Sequence, residues 1–455
     1  MAQNTDVVVI GMGPGGEHLA GRLAEAGLHV TGIEAELVGG ECPYWGCVPS
    51  KMMIRAGNLL ADARRIPAMA GKVQIEPDWR RVASRIRAEA TDNWDDRVAA
   101  DRFIRKGGHL VRGRGRLAGW NRVEVNGEIY VASRGVVIAT GSCPDIPPLT
   151  GIEDVPYWTN RDAVFAKEVP RSLIVVGGGA VGLEFAQAFA RFGTQVTVVE
   201  GGQRLLPMEE PEAGELIAGV LRTDGVNICT GARATALKNH SDAITVELES
   251  GEQHSAEHLL VATGRRVDLA SLGVDTVGLD PTATSLKVDE NMQAAPGLWG
   301  VGDVTGQGAF THIAMYQAEI AVRAVLGEEG PCADYRAVPS VTFTDPEIAS
   351  VGLTETRARE RGLRVRTGLA RVPDSSRGWI HNAGNQGFVK VVADVDRGVL
   401  IGATAAGPAG GEVLYGLSVA VQAQVPVEDL RHMIYAYPTF HGGVAEALAQ
   451  LENGT

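Results

Sequence analysis

A chain of 455 residues has room for about three domains and several hydrophobic cores. Its formal charge of −13 argues against a nucleic-acid binder, which needs Lys and Arg clustered against phosphates. No run reaches the roughly 18 apolar residues of a membrane span, and Met1 leads into Asp6-Val7-Val8-Val9-Ile10 without a basic stretch or cleavage site. A soluble, cytoplasmic protein is therefore expected, with neither membrane nor nucleic acid as partner.

In chain order, the apolar run Val7 to Ile10 reads as a strand, and Gly11-x-Gly13-x-x-Gly16 follows it. The next stretch is helical and stops near Ala26-Gly27, and a second strand ends on Glu34. Strand, glycines, helix, strand and terminal acid in that order specify a dinucleotide site. The first glycine makes the turn, the second lets backbone approach a pyrophosphate, and the third lets helix pack on strand. The acid takes ribose hydroxyls.

Next comes Gly39-Gly40-Glu41-Cys42-Pro43-Tyr44-Trp45-Gly46-Cys47-Val48-Pro49-Ser50-Lys51. The five cysteines of the chain are too few and scattered for a disulfide scaffold. One close pair reads as redox chemistry, because zinc wants four ligands at short spacing and no second pair supplies them. A disulfide needs Cα atoms within roughly 4.4–6.8 Å, which an irregular turn at a helix start, helped by Gly46, can meet. A helix N-terminus and nearby Lys51 both favour a thiolate there. Tyr44 and Trp45 read either as packing or as an aromatic wall at the substrate mouth, which suits flat acceptors such as quinones. Cys143, ahead of Pro144, suits a linker.

The pattern then repeats. Leu173 to Val176 precedes Gly177-x-Gly179-x-x-Gly182, the helix stops near Phe192-Gly193, and the second strand ends on Glu200. From first glycine to acid the spacing is 23 in both copies (34 − 11 and 200 − 177). Glu200 favours NADH over NADPH, since a carboxylate repels a 2′-phosphate, with Arg204 as the nearby cation that opposes this. Val137-Ile138-Ala139-Thr140-Gly141 is echoed by Leu260-Val261-Ala262-Thr263-Gly264, at 128 (139 − 11) and 85 (262 − 177) residues from the respective first glycines. The first copy thus carries 43 more residues, around the cysteine pair. His254 and His258, four apart in a polar segment, read as solvated residues rather than metal ligands, so no metal site is expected.

Paired dinucleotide units and a CxxxxC followed by Pro-Ser-Lys make the chain resemble, over its whole length, the flavoprotein disulfide reductases, which include dihydrolipoamide dehydrogenase, glutathione reductase and mercuric reductase. Gly297-Leu298-Trp299-Gly300-Val301-Gly302-Asp303 is similar to the family's second FAD motif, and Val338 to Ile348 to the start of its dimerisation domain. The resemblance implies an α/β fold with two Rossmann-like dinucleotide-binding domains, for FAD and NAD, and an α+β C-terminal dimerisation domain. It places an FAD domain at 1–145 and 265–335, an NAD domain at 146–264 and an interface domain at 336–455, in a homodimer. FAD would lie on Gly11, Gly13, Gly16 and Glu34, with Gly115, Thr140, Gly141 and Asp303. NADH would lie on Gly177, Gly179, Gly182 and Glu200, and Gly264 also counts as a cofactor position. Lys51 and Glu184 match the ion pair that the family sets near flavin N5. Cys47 would face the flavin and Cys42 the substrate.

One departure stands out. Where the lipoamide and glutathione enzymes read His-Pro-Thr with a Glu three residues on, this chain reads Tyr437-Pro438-Thr439 with Gly442 at the Glu position. A tyrosine near pKa ~10 is a poor base at neutral pH, so His441, expected on the next helical turn, is the alternative proton carrier. Mercuric reductase also carries Tyr near this place but resembles a design with a further C-terminal cysteine pair, absent here. The expected reaction runs from NADH through FAD to the Cys42–Cys47 disulfide and on to a disulfide-type acceptor. The alternatives are a quinone or dye reductase with direct transfer from the flavin, a mercuric-type metal reductase, and a non-catalytic redox-responsive flavoprotein.

Overall fold

The computed structural model describes residues 2–451 and resolves into two compact α/β units. The first comprises Met1–Pro49, Ser84–Asp145 and Gly264–Asp334. Its sheet has eight strands around a parallel centre in the order Leu298–Gly300, Glu128–Ile138, Gln3–Ile10, Val30–Glu34, His109–Arg112. Parallel sheets are covered on both faces, which is why the central strand is an unbroken apolar run. Val7, Val8 and Val9 are accordingly fully buried. Ile10 lies level with Ile33 on one side and Ile138 on the other, so three strand ends finish together beneath the first glycine turn.

The helix Pro14–Glu25 opens with Pro at its first position, where a missing N–H costs nothing, and buries Gly16, Leu19, Ala20 and Leu23. It ends at Ala26 with Gly27 left-handed at φ +89°, the stop expected from the sequence.

The second unit comprises Ser50–Ala83, Ile146–Thr263 and Tyr335–Thr455. It holds a four-stranded parallel sheet in the order Asn227–Thr230, Gln195–Glu200, Ser172–Val176, His258–Val261, and a three-stranded antiparallel sheet spanning Ala234–Ala256. The helix Ala180–Arg191 repeats Pro14–Glu25, with the same length of 12 residues. A five-stranded antiparallel sheet in the order Pro339–Thr342, Glu347–Gly352, Val399–Gly407, Phe388–Asp394, Val365–Arg371 packs against the helices Gly410–Ala423 and Gly442–Gln450 through Val389, Val391, Leu414, Leu417 and Leu448.

Two expectations change. His254 and His258 are not a solvated pair: they sit on different strands of different sheets. His254 is half-buried 3.6 Å from the Cys229 sulfur, and His258 stacks on Trp158 at 4.2 Å, where burial lowers its pKa. The alternation of polar and apolar residues hid the sheet boundary between them. Cys143 is not in a free linker but in a two-residue strand paired with Arg265–Arg266. Among the described residues no helix is long and apolar enough to cross a membrane, and no cluster of His, Cys, Asp and Glu is arranged to hold a metal.

Candidate functional site

The two glycine turns are built alike, residue for residue. A Cβ at Gly11 would lie 2.5 Å from the Ala139 carbonyl oxygen, and at Gly177 2.3 Å from that of Ala262. Both glycines also have positive φ, +93° and +115°. A Cβ at Gly16 would meet the Gly11 oxygen at 2.0 Å, and at Gly182 the Gly177 oxygen at 2.2 Å. The middle glycines differ from these: at Gly13 and at Gly179 nothing lies within 4 Å. First and third glycines are thus required by the protein's own packing, whereas the second borders open space at a helix N-terminus, where a pyrophosphate fits.

The acids also match. Glu34 accepts from Met12 N–H (2.7 Å) and Glu36 N–H (2.8 Å), and Glu200 from Gly178 N–H (2.6 Å) and Gly202 N–H (2.5 Å). Each carboxylate therefore ties its strand end to the residue after the first glycine. Burial pushes the Glu34 pKa up, partly offset by those two N–H groups. The Arg204 guanidinium is spent on the carbonyls of Leu206, Pro207 and Glu209.

Around the first turn, Gly115 packs on Ile10 and Ile33, Thr140 is exposed, and Gly141 is left-handed (φ +68°) with nothing within 4 Å of its Cβ position. Gly264 also borders open space, at φ +134°. Asp303 accepts a 2.6 Å hydrogen bond from Ser142 Oγ, whose oxygen in turn accepts from Arg265 Nε at 2.7 Å. Arg265 also reaches toward Glu41 at 4.0 Å. The residues present fit an FAD at the first turn and a second dinucleotide at the other.

The cysteine pair does not sit at one helix start. Cys42 lies in the short helix Glu41–Tyr44, the chain breaks at Trp45-Gly46, and Cys47 is the first residue of Cys47–Arg65. Gly46 helps by close approach rather than by a left-handed turn: a Cβ there would lie 3.2 Å from the Glu41 carbonyl oxygen. Both sulfurs are thiols in the structure, with Cys42 half-buried and Cys47 exposed. The hydrogen bond between the Cys42 thiol and Cys47 pushes the Cys42 pKa far up, and burial adds to this. Thr311 Oγ1, at the start of the helix Thr311–Leu326, stands 3.5 Å from the Cys47 sulfur.

In the second unit, Lys51 Nζ and Glu184 Oε2 meet at 2.8 Å, although 133 residues apart. Glu184 is buried and also accepts from Phe343 N–H at 2.8 Å, while Lys51 lies 4.7 Å over the Phe343 ring. Tyr437 is 81% exposed and its hydroxyl donates to Ser376 Oγ at 3.0 Å. His441 is not on a helical turn shared with Tyr437; it is the exposed residue that precedes the helix Gly442–Gln450.

Sequence reasoning missed Trp94. Tyr44 is buried, as packing requires, and Trp45 stacks on Trp94 at 5.3 Å and 26°. Trp94 ends three consecutive left-handed residues, Asp92 (φ 45°), Asn93 (φ 57°) and Trp94 (φ 59°); Asp and Asn adopt this conformation readily, whereas for Trp94 it costs roughly 1–2 kcal/mol. Asn-Asp composition was a turn signal, but nothing in it named Trp94 as the residue held.

Family comparison agrees with this geometry. Residues 5–318 match the pyridine nucleotide-disulphide oxidoreductase model, and 338–448 match its dimerisation domain. The chain belongs to this family of enzymes. It is 34% identical to a dihydrolipoyl dehydrogenase of Thermus scotoductus, over 98% of this chain and 97% of the relative. It is 32% identical to a mercuric reductase of Acidithiobacillus ferrooxidans, over 97% and 82%. Among solved structures it resembles LpdA of Mycobacterium tuberculosis (TM-score 0.86, 28% identity, 98% and 99% covered) and RclA of Escherichia coli, an HOCl-induced flavoprotein disulfide reductase (0.85, 27%, 98% and 99%). The family is FAD-dependent and uses a pyridine nucleotide, as the resemblance implied.

Proposed function

We propose that this oxidoreductase oxidises NADH, reduces the Cys42–Cys47 pair and delivers the electron pair from Cys42 to a small disulfide-type acceptor, working as a cytoplasmic homodimer. Bound FAD supplies the two-electron acceptance that side chains lack. The protein's part begins with Gly13 and Glu34 beneath that cofactor, and with Gly179 and Glu200 beneath the nicotinamide dinucleotide. Asp303, Gly115, Thr140 and Gly141 complete the first cradle. The domains follow: FAD at 1–145 and 265–335, NAD at 146–264, and the interface at 336–455. NADH is preferred because Glu200 presents a carboxylate to the ribose while Arg204 is committed elsewhere.

The observation that carries this reading is the contact of the two side chains: Cys42 and Cys47 are hydrogen-bonded to each other across the break between two helices, close enough to form and break a disulfide. The Cys42 thiol must lose its proton before attacking an acceptor, and His441 would receive it, Tyr437 being a poor base at neutral pH. A quinone acceptor is a second reading, favoured by Tyr437 standing where the family's histidine is expected, since it needs no proton relay to a leaving thiol. One solved relative, RclA, is described as a Cu(II) complex, and two thiols suit copper once it is reduced to Cu(I). NADH oxidation by wild type and Cys42→Ser with oxidised lipoamide, a small quinone and Cu(II) separates these. Loss of lipoamide turnover in Cys42→Ser supports the disulfide route. Quinone turnover alone, surviving in Cys42→Ser, refutes it.

A further inference from the structure

We infer that Trp94 is a positioning residue for the thiol pair, gripping the Cys42–Cys47 segment so that the sulfurs stay poised for bonding after the disulfide opens. This rests on the reading that the pair is the redox disulfide. Trp94 Nε1–H donates to the carbonyl of Tyr44 at 3.2 Å, and its ring lies against Trp45 at 5.3 Å. Tyr44 and Trp45 are two of the four residues between the cysteines. On the Trp94 ring the Arg87 guanidinium also sits, at 5.7 Å.

The turn that presents Trp94 is anchored on both sides. Thr91, fully buried, bonds back to the Ile86 carbonyl at 3.1 Å. Asp96 accepts from Arg112 at 2.6 and 2.8 Å and from Val38 N–H at 2.6 Å. Val38 stands just ahead of Gly39-Gly40, so the segment Thr91–Asp96 holds the redox stretch at its entry and at its middle. A left-handed tryptophan persists only where the surroundings over-determine it, and such strain concentrates at functional sites.

None of these contacts involves a sulfur, and they are all in place with Cys42 and Cys47 as thiols. The sulfurs then remain neighbours, which favours re-formation of the disulfide over an open dithiol. In a glutathione buffer the Cys42–Cys47 bond breaks through a mixed disulfide. Two glutathione thiols give up two electrons and become glutathione disulfide, and their two protons end on Cys42 and Cys47. Weakening the grip moves this equilibrium toward the dithiol.

The test equilibrates FAD-loaded wild type, Trp94→Phe and Trp94→Ala in graded glutathione buffers, followed by acid quench, alkylation and mass spectrometry of the Cys42–Cys47 peptide. Trp94→Phe keeps a ring and loses the N–H donor, and should shift the equilibrium about 3- to 10-fold toward dithiol. Trp94→Ala should shift it further, and Trp94→Phe keeps the test decisive where the alanine variant fails to fold. Trp79→Phe is the control for loss of a buried indole donor in general, since Trp79 donates to the Ala166 carbonyl in the other unit; it should leave the equilibrium unmoved. Equal equilibria in wild type and Trp94→Phe, or an equal shift in Trp79→Phe, would overturn the positioning role. A wild type that forms no Cys42–Cys47 disulfide in any buffer overturns instead the reading on which it rests.

Discussion

The Lys51–Glu184 pair predicts an ordering of stabilities that simple counting of lost contacts would not. At 2.8 Å the pair's gross attraction is about 6 kcal/mol at an effective dielectric of ~20, most of it spent on desolvation. Lys51→Met keeps the side-chain stem but leaves the Glu184 carboxylate buried with one N–H partner, that of Phe343. Removing one partner of a buried pair costs about 3–5 kcal/mol, and the lower end applies because the Lys51 side chain is 35% exposed. Lys51→Met/Glu184→Gln removes the stranded charge and keeps an acceptor for Phe343 N–H, so it should cost only about 1 kcal/mol. With a urea dependence of ~3 kcal/mol per molar, the single variant should lose about 1 M in unfolding midpoint and the double variant about 0.3 M. A double variant as unstable as Lys51→Met, or more so, would refute the reasoning.

Three further outcomes are expected. Cys47→Ala removes the hydrogen bond that contributes most to raising the Cys42 pKa, so the pH profile for alkylation of Cys42 in reduced protein should move to lower pH; an unchanged profile would contradict that contact between the two thiols. Glu200→Gln should raise kcat/KM for NADPH relative to NADH by about 10-fold, because it removes the carboxylate that repels a 2′-phosphate while keeping an acceptor for one of the Gly178 and Gly202 N–H groups. Although burial pushes the Asp96 pKa up, the Arg112 guanidinium and Val38 N–H outweigh it and leave it below 3.8. A carboxylate with a depressed folded value stabilises above the unfolded value and loses that contribution as pH falls through the folded one. The stability gap between wild type and Asp96→Asn, about 1.5–3 kcal/mol at neutral pH, should therefore narrow only below about pH 4.

What the sequence disclosed well was local. Gly11, Gly13 and Gly16, their copies at Gly177, Gly179 and Gly182, and the acids 23 residues on are fixed by chain geometry over one strand–helix–strand unit, so spacing alone exposes them. Lys51 and Glu184 became a pair only through family resemblance, because contacts 133 residues apart leave no periodic trace. Thr311 beside Cys47 and Ser142 between Arg265 and Asp303 were invisible for the same reason. Trp94 was hidden differently: its role depends on a left-handed turn that its own side chain disfavours and that Thr91 and Asp96 hold in place. His441 was misread because a helix was extended across Pro438, which the chain does not permit.

The central claim is that NADH electrons reach the sulfur pair. FAD-loaded protein, oxidised and then treated anaerobically with one equivalent of NADH, should be denatured in acid and its thiols counted. With five cysteines and two in the disulfide, the account predicts three thiols before NADH (5 − 2) and five after it. Loss of the flavin's oxidised absorbance with the count still at three would show that the electrons stop short of Cys42 and Cys47.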